Sequence, residues 1–133
     1  MKETIWGMIG CGDVTEKKSG PGLYKAYGSR LKGIYNRTEA KAHDWVQRHG
    51  YGQVYAKLEE LLADEEITAV YIATPPVTHF DYAMQVIAAN KVPLIEKPMA
   101  SSLQACDAML EAADKQRITL GVISQRRLFE PVQ

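Results

Sequence analysis

The sequence predicts an α/β protein, a doubly wound parallel sheet of about six strands with helices on both faces. Three observations carry that prediction. An apolar run, Ile5-Trp6-Gly7-Met8-Ile9, ends abruptly in Gly10-Cys11-Gly12 close to the N-terminus. Short β-rich runs then alternate with helical periods along the chain, the pattern that builds right-handed βαβ crossovers. Finally, Ala69–Ala73 (Ala-Val-Tyr-Ile-Ala) is almost continuously apolar, as a strand buried on both faces must be.

The elements follow in order. Thr4–Ile9 reads as the first strand, and the Gly-x-Gly turn leads into a helix opening at Asp13-Val14. That helix is expected to be short, because Ser19-Gly20-Pro21-Gly22 should break it within about two turns. Leu31–Tyr35 is the second strand. Ala42, Trp45, Val46 and His49 fall at i, i+3, i+4 and i+7 of the next helix, with Thr38 as its cap and Gly50 as its stop. Val54–Tyr55 is a weak third strand. Leu58, Leu61 and Leu62 mark a short helix before the fourth strand, Ala69–Ala73. Phe80, Ala83 and Ile87 mark the helix after it, and Val92–Ile95 is the fifth strand. Leu103, Cys106, Leu110 and Ala113 give the face of a longer helix, with Ser101 and Gln104 as a capping box. Thr119–Ser124 is the sixth strand. Residues 1–124 thus make one domain, and 125–133 read as the start of a connection to something further.

Composition narrows the function classes. Of 133 residues 46% are apolar, enough for one real core, and 16 basic residues balance 16 acidic ones. With no Lys/Arg block, nucleic acid and anionic membranes are poor partners. No apolar stretch approaches the roughly 20 residues that span a bilayer. Cys11 and Cys106 show neither metal-ligand nor disulfide spacing, so no metal is expected and a reduced, cytoplasmic setting is the plain reading.

The chemistry concentrates at the ends of strands. A glycine pair after a first strand lets a dinucleotide pyrophosphate approach the backbone: Gly10 permits the tight turn and Gly12 the close approach. The N–H groups at Asp13 and Val14 then open a helix toward the charge. The third glycine of Gly-x-Gly-x-x-Gly is replaced by Thr15, which predicts a looser or displaced helix. At the tip of the second strand, Asn36-Arg37-Thr38 holds no acid for ribose hydroxyls. Asn36 is placed to bond the ribose, and Arg37 with Thr38 to meet a 2′-phosphate, which favours NADP over NAD. The alternative is a solvated arginine beside a helix cap. After the fourth strand comes Thr74-Pro75-Pro76-Val77-Thr78-His79, where His79 reads as a hydrogen-bonded structural residue before a catalyst. His43 and His49 lie on a surface helix and receive no role. Glu96-Lys97-Pro98 follows the fifth strand at the same carboxyl edge. There Lys97 would orient or deprotonate a hydroxyl, or else Glu96 and Lys97 merely pair. Cys11 sits in the turn, where a helix N-terminus would lower its pKa.

Taken together, Gly7-Met-Ile-Gly-Cys-Gly12, Tyr71-Ile-Ala-Thr-Pro-Pro-Val-Thr-His79 and Ile95-Glu-Lys-Pro-Met99 resemble the N-terminal domain of the glucose–fructose oxidoreductase/inositol dehydrogenase (Gfo/Idh/MocA) family. The resemblance implies a Rossmann sheet and a nicotinamide cofactor, NADP preferred or NAD. It implies hydride transfer at a hydroxyl-bearing carbon of a sugar, cyclitol or related small molecule. It assigns Lys97 to the active site, and Glu96 to the nicotinamide-ribose end. Thr74, Pro75 and His79 would line the cofactor cleft, and Pro98 would follow a cis peptide. Members of the family continue into a second domain that carries most of the substrate pocket, a histidine base and usually a homo-oligomer interface. A chain without it would bind cofactor with little or no turnover. The rival expectation is a nucleotide-sensing or protein-interaction module without catalysis.

Overall fold

The computed structural model describes residues 3–17 and 19–123, with Asp13, Lys17 and Ser19 described by their backbone alone. Its elements run β1 (Thr4–Ile9), α1 (Asp13–Lys17), α2 (Ser19–Lys25), β2 (Ser29–Tyr35), α3 (Glu39–His49), β3 (Gln53–Val54), α4 (Leu58–Ala63), β4 (Ala69–Ile72), a 3-10 turn (Pro76–Thr78), α5 (His79–Ala88), β5 (Val92–Glu96), α6 (Leu103–Lys115) and β6 (Gly121–Ile123). The six strands form one sheet in the order β3-β2-β1-β4-β5-β6, with every neighbouring pair parallel. The predicted fold class is the one observed. The expected connection from residue 125 onward lies outside the described residues.

Period-two alternation sorts the strand residues between two cores. Ile9, Val70, Ile72 and Ile95 face Leu58 and Leu61 of α4, Ala83 and Val86 of α5, and Met109 of α6. Met8, Ile34, Tyr71 and Ala73 face Leu23 of α2 with Ala42 and Trp45 of α3. Each strand of the centre is therefore covered twice, which is why β4 is buried at all four positions.

Three details differ from the sequence expectation. The helix after the glycine turn is short as expected, α1 having five residues, but Ser19–Gly22 is itself helical and opens α2, where Pro21 falls in the first turn and its missing N–H has no partner to lose. The cap of α6 is Ser102 rather than Ser101, its side chain accepting from the Ala105 N–H at 3.1 Å. Leu103 and Leu110 are 77% and 51% exposed, so of the expected face Cys106 packs on the core and Ala113 is buried, and Met109 joins them in place of the two leucines. Thr38 does stand at the N-cap of α3, without a side-chain bond, and Gly50 ends α3 in the left-handed conformation that a stop there requires.

His49 has a structural task that its surface position hides. Its ring stacks on Trp45 with centroids 3.9 Å apart, and its nitrogens reach Tyr24 Oη and Glu16 Oε1, both at 3.0 Å. Glu16 also accepts from Arg48 Nη1 at 2.6 Å and Nη2 at 2.8 Å, so α1 is fastened to α3. The Arg48 bonds chiefly, and His49 after them, hold the Glu16 carboxyl down to about 2. A carboxylate depressed in the folded state stabilises the fold above its ordinary value of 4.5, and that contribution is lost as pH falls through about 2. Glu16→Gln is accordingly expected to lower stability at pH 7 by about 1 kcal/mol, a figure discounted for solvent screening. Thermal unfolding from pH 7 down to 2 checks this: the gap between wild type and variant should close across that window, and a constant gap would refute it.

Candidate functional site

The chain leaves β1 toward β2 and β3 and later returns to β4 on the other side, so the loops after β1 and β4 diverge. In an open parallel sheet that divergence makes the ligand crevice at the carboxyl edge. Four loops furnish it here.

The first is the glycine turn. Gly10 has φ 97°, and a Cβ there would lie 2.8 Å from the Ala73 carbonyl oxygen and from Thr74 Cγ2. Only glycine satisfies both the backbone and the space. Gly12 is different: it is exposed, and a Cβ would meet nothing closer than the Ala73 oxygen at 3.8 Å. The protein's own packing does not require glycine at position 12. Thr15, in the place of the third glycine, is fully buried, and its Oγ1 donates to the Gly12 carbonyl at 2.6 Å. It secures the turn, and the close helix approach falls instead on Gly20, whose Cβ would stand 2.1 Å from the Thr15 oxygen. Val14 is half-buried against the α2–α3 core. The Cys11 thiol is pushed up to about 11, chiefly by burial and next by Glu16, so the expected lowering by a helix terminus does not occur.

The second loop follows β2. Asn36 Oδ1 accepts from the Cys11 N–H at 3.1 Å, and its Nδ2 donates to the Thr38 carbonyl at 2.9 Å. The side chain expected to bond a ribose thus ties the glycine turn to the β2 tip. Arg37 and Thr38 are exposed beside it. With Lys41, Thr74, Pro75 and Tyr82 they line a cavity of about 330 Å³. Among the described residues neither Arg37 nor Lys41 has an ion-pair partner. Lys41 escaped the sequence reading, although its place one helical turn beyond Arg37 is the signal that finds it.

The third loop follows β4. Thr78 Oγ1 lies 2.6 Å from both Thr74 Oγ1 and the Pro75 carbonyl oxygen, which stiffens this wall. His79 is wholly buried, with Nε2 2.8 Å from the Thr74 carbonyl oxygen and Nδ1 2.7 Å from that of Pro98. It stands behind the cleft rather than on its surface. The fourth loop follows β5: Glu96 Oε2 accepts from the buried Tyr71 hydroxyl at 2.6 Å, Lys97 is exposed, and the Lys97–Pro98 peptide is cis.

Asn36, Arg37, Thr38, Thr74 and Pro75 therefore gather in one cavity, while Glu96 and Lys97 occupy a separate station on the same edge. From β2 to β5 is three interstrand spacings, about 14 Å, which suits an extended ligand laid across the edge.

A sheet of this order with a glycine turn at its switch point defines a Rossmann domain of the NAD-binding class. Residues 5–124 match the GFO_IDH_MocA family, an oxidoreductase family with an NAD-binding Rossmann fold, and the chain belongs to it. It is 39% identical over 122 residues to oxidoreductase P35 of Formosa agariphila, covering 92% of this chain and 38% of that protein. It is 30% identical over 91 residues to the NADP(+)-dependent scyllo-inositol 2-dehydrogenase IolU of Bacillus subtilis, covering 68% of this chain and 28% of that one. Among solved structures, the WlbA dehydrogenase of Chromobacterium violaceum in complex with NADH and UDP-GlcNAcA superposes with a TM-score of 0.86 at 26% identity, over 96% of this chain and 36% of that one. The chain thus spans well under half the length of these relatives.

Proposed function

We propose that this chain is the cofactor-binding part of an NADP(H)-preferring oxidoreductase that acts on a hydroxyl-bearing carbon of a sugar, cyclitol or related small molecule. The observation that carries the reading is the cavity at the β2 tip, where Arg37 and Lys41 stand without anionic partners among the described residues. Two unneutralised cations in one concavity call for a multiply charged anion, and a 2′-phosphate is such a group. The glycine turn supports the same fit, since Gly12 leaves open the space that a side chain would take from a pyrophosphate.

Arg37, Lys41 and Thr38 would hold the adenosine end, with Thr74 and Pro75 as the facing wall. Asn36 acts by fixing the Gly10–Gly12 turn against the β2 tip. Glu96, tethered by Tyr71, and Lys97 would attend the nicotinamide end. When bound, the nicotinamide supplies or takes up hydride at its C4. Lys97 Nζ would hold a proton at the oxygen of the reacting hydroxyl, and much of the rate gain would come from alignment. Most of the substrate pocket and a base would come from the portion of such enzymes that this chain does not span, so the chain should bind cofactor with little turnover.

Calorimetric titration with NADPH and NADH tests the reading. NADPH is expected to bind on the order of tenfold more tightly, and Arg37→Ala to erase that difference, as loss of a charge-assisted hydrogen bond should. Equal binding of both cofactors would remove the 2′-phosphate from Arg37, and binding of neither would overturn the cofactor role.

A further inference from the structure

Lys97 stands on the loop after β5, while the wall of the crevice is the loop after β4. Nothing in the sequence says what keeps the two in register. The β4 loop is stiffened by its own contacts, Thr78 to Thr74 and Pro75. Besides the Tyr71–Glu96 bond between β4 and the end of β5, the His79 ring links this loop to the β5 loop: Nε2 lies 2.8 Å from the Thr74 carbonyl oxygen and Nδ1 2.7 Å from the Pro98 carbonyl oxygen. Carbonyl oxygens accept and never donate, so the ring grips the Pro98 loop where its Nδ1 carries the proton. Pro98 directly follows Lys97, and the carbonyl that His79 grips is therefore one residue from the ammonium-bearing side chain.

We propose that His79 is a positioning residue, a strap that donates from Nδ1 to the Pro98 carbonyl and holds the Lys97 loop against the crevice wall so that Lys97 meets the nicotinamide end of the ligand. The proposal rests on the cofactor reading above. The ring has no solvent-exposed surface, so its effect on any ligand runs through the loops it joins. Its placement at the first position of α5 makes the strap rigid, because a helix terminus packed on β4 and β5 has little freedom to shift.

The shapes of the amides provide the test. Asparagine at position 79 carries its NH₂ about where Nδ1 lies and keeps the grip on Pro98. Glutamine carries its NH₂ about where Nε2 lies and keeps only Thr74. The full chain bearing His79→Asn or His79→Gln is titrated with NADPH and with adenosine 2′,5′-bisphosphate, which lacks the nicotinamide half. The expected result is that His79→Gln weakens NADPH about tenfold, the effect of losing one ordering hydrogen bond, and leaves the bisphosphate unchanged. His79→Asn should stay near wild type for both. Equal losses in the two variants, or parallel losses for the two ligands, would overturn the strap. Should the variants fail to fold, ¹⁵N spectra of the wild-type ring decide: a protonated Nδ1 supports the strap and an unprotonated Nδ1 overturns it. A wild-type chain that binds neither ligand overturns the cofactor reading and the positioning role together.

Discussion

Gly12→Ala is expected to leave the thermal midpoint unchanged or slightly raised while cutting NADPH affinity on the order of a hundredfold. The two halves of that expectation have separate causes. On the protein side, the new methyl would meet only the Ala73 carbonyl oxygen, at an ordinary 3.8 Å, and the backbone at Gly12 lies outside the left-handed region. Where native geometry tolerates a side chain, replacing glycine restricts the unfolded chain and stabilises by about 0.4–1 kcal/mol. On the ligand side, if the proposed cofactor lays its pyrophosphate against the turn, the methyl would take up space that this close approach needs, and displacement would forfeit charge-assisted bonds worth about 1.5–3 kcal/mol each. Gly10→Ala is the contrasting change, since φ 97° and the contacts at 2.8 Å make it costly to the fold itself. Thermal unfolding and calorimetry on the same preparations separate the two. Intact NADPH binding by a stable Gly12→Ala variant would reduce Gly12 to an ordinary turn residue.

What could be read from the sequence follows from which forces are local. The Ala-Val-Tyr-Ile run of β4 had to be a strand covered on both faces, because no other element buries consecutive apolar residues at that length. Gly50 as a helix stop and Gly10 as a turn rest on backbone sterics alone, and both hold in the structure. The station at Arg37 was legible for the same reason, since strand ends in a doubly wound sheet point to one edge. The misses share a different cause. Ser19-Gly20-Pro21-Gly22 has the composition of a break and α1 is short, yet its proline falls in the first turn of a new helix and Gly20 at the contact with Thr15, which composition alone does not distinguish from a loop. Leu103 and Leu110 lie seven apart and so share a face, but tertiary packing buried the edge of that face with Cys106 and Ala113 and turned it toward Met109, leaving the two leucines exposed. Asn36 and His79 were identified as members of the site. Their hydrogen-bond partners, Cys11 N–H and the Pro98 carbonyl, are 25 and 19 residues away in the chain and become visible only once the sheet is assembled.

Gly20→Ala is expected to destabilise the fold by about 2–4 kcal/mol, a value typical of overpacking against an element that cannot yield. The added Cβ would lie 2.1 Å from the Thr15 carbonyl oxygen, 2.6 Å from its Cα and 2.7 Å from its carbonyl carbon. All three are backbone atoms, so no rotamer change relieves the clash and α1 and α2 must separate. Separation has a second effect, because Thr15 is fully buried and its hydroxyl anchors the Gly12 carbonyl. NADPH affinity should therefore fall along with stability, unlike the clean division expected for Gly12→Ala. Gly22→Ala in the same helix is the control: nothing lies within 4 Å of its Cβ, and helix propensity predicts a gain of up to about 1 kcal/mol. Urea unfolding of the three proteins measures both differences. If Gly20→Ala is as stable as wild type, then α1 and α2 do not cross as closely as the 2.1 Å approach requires. If it is strongly destabilised, the close-packing duty that a glycine at position 15 would carry has moved five residues along the chain, which explains how a threonine can stand in the glycine turn without loosening it.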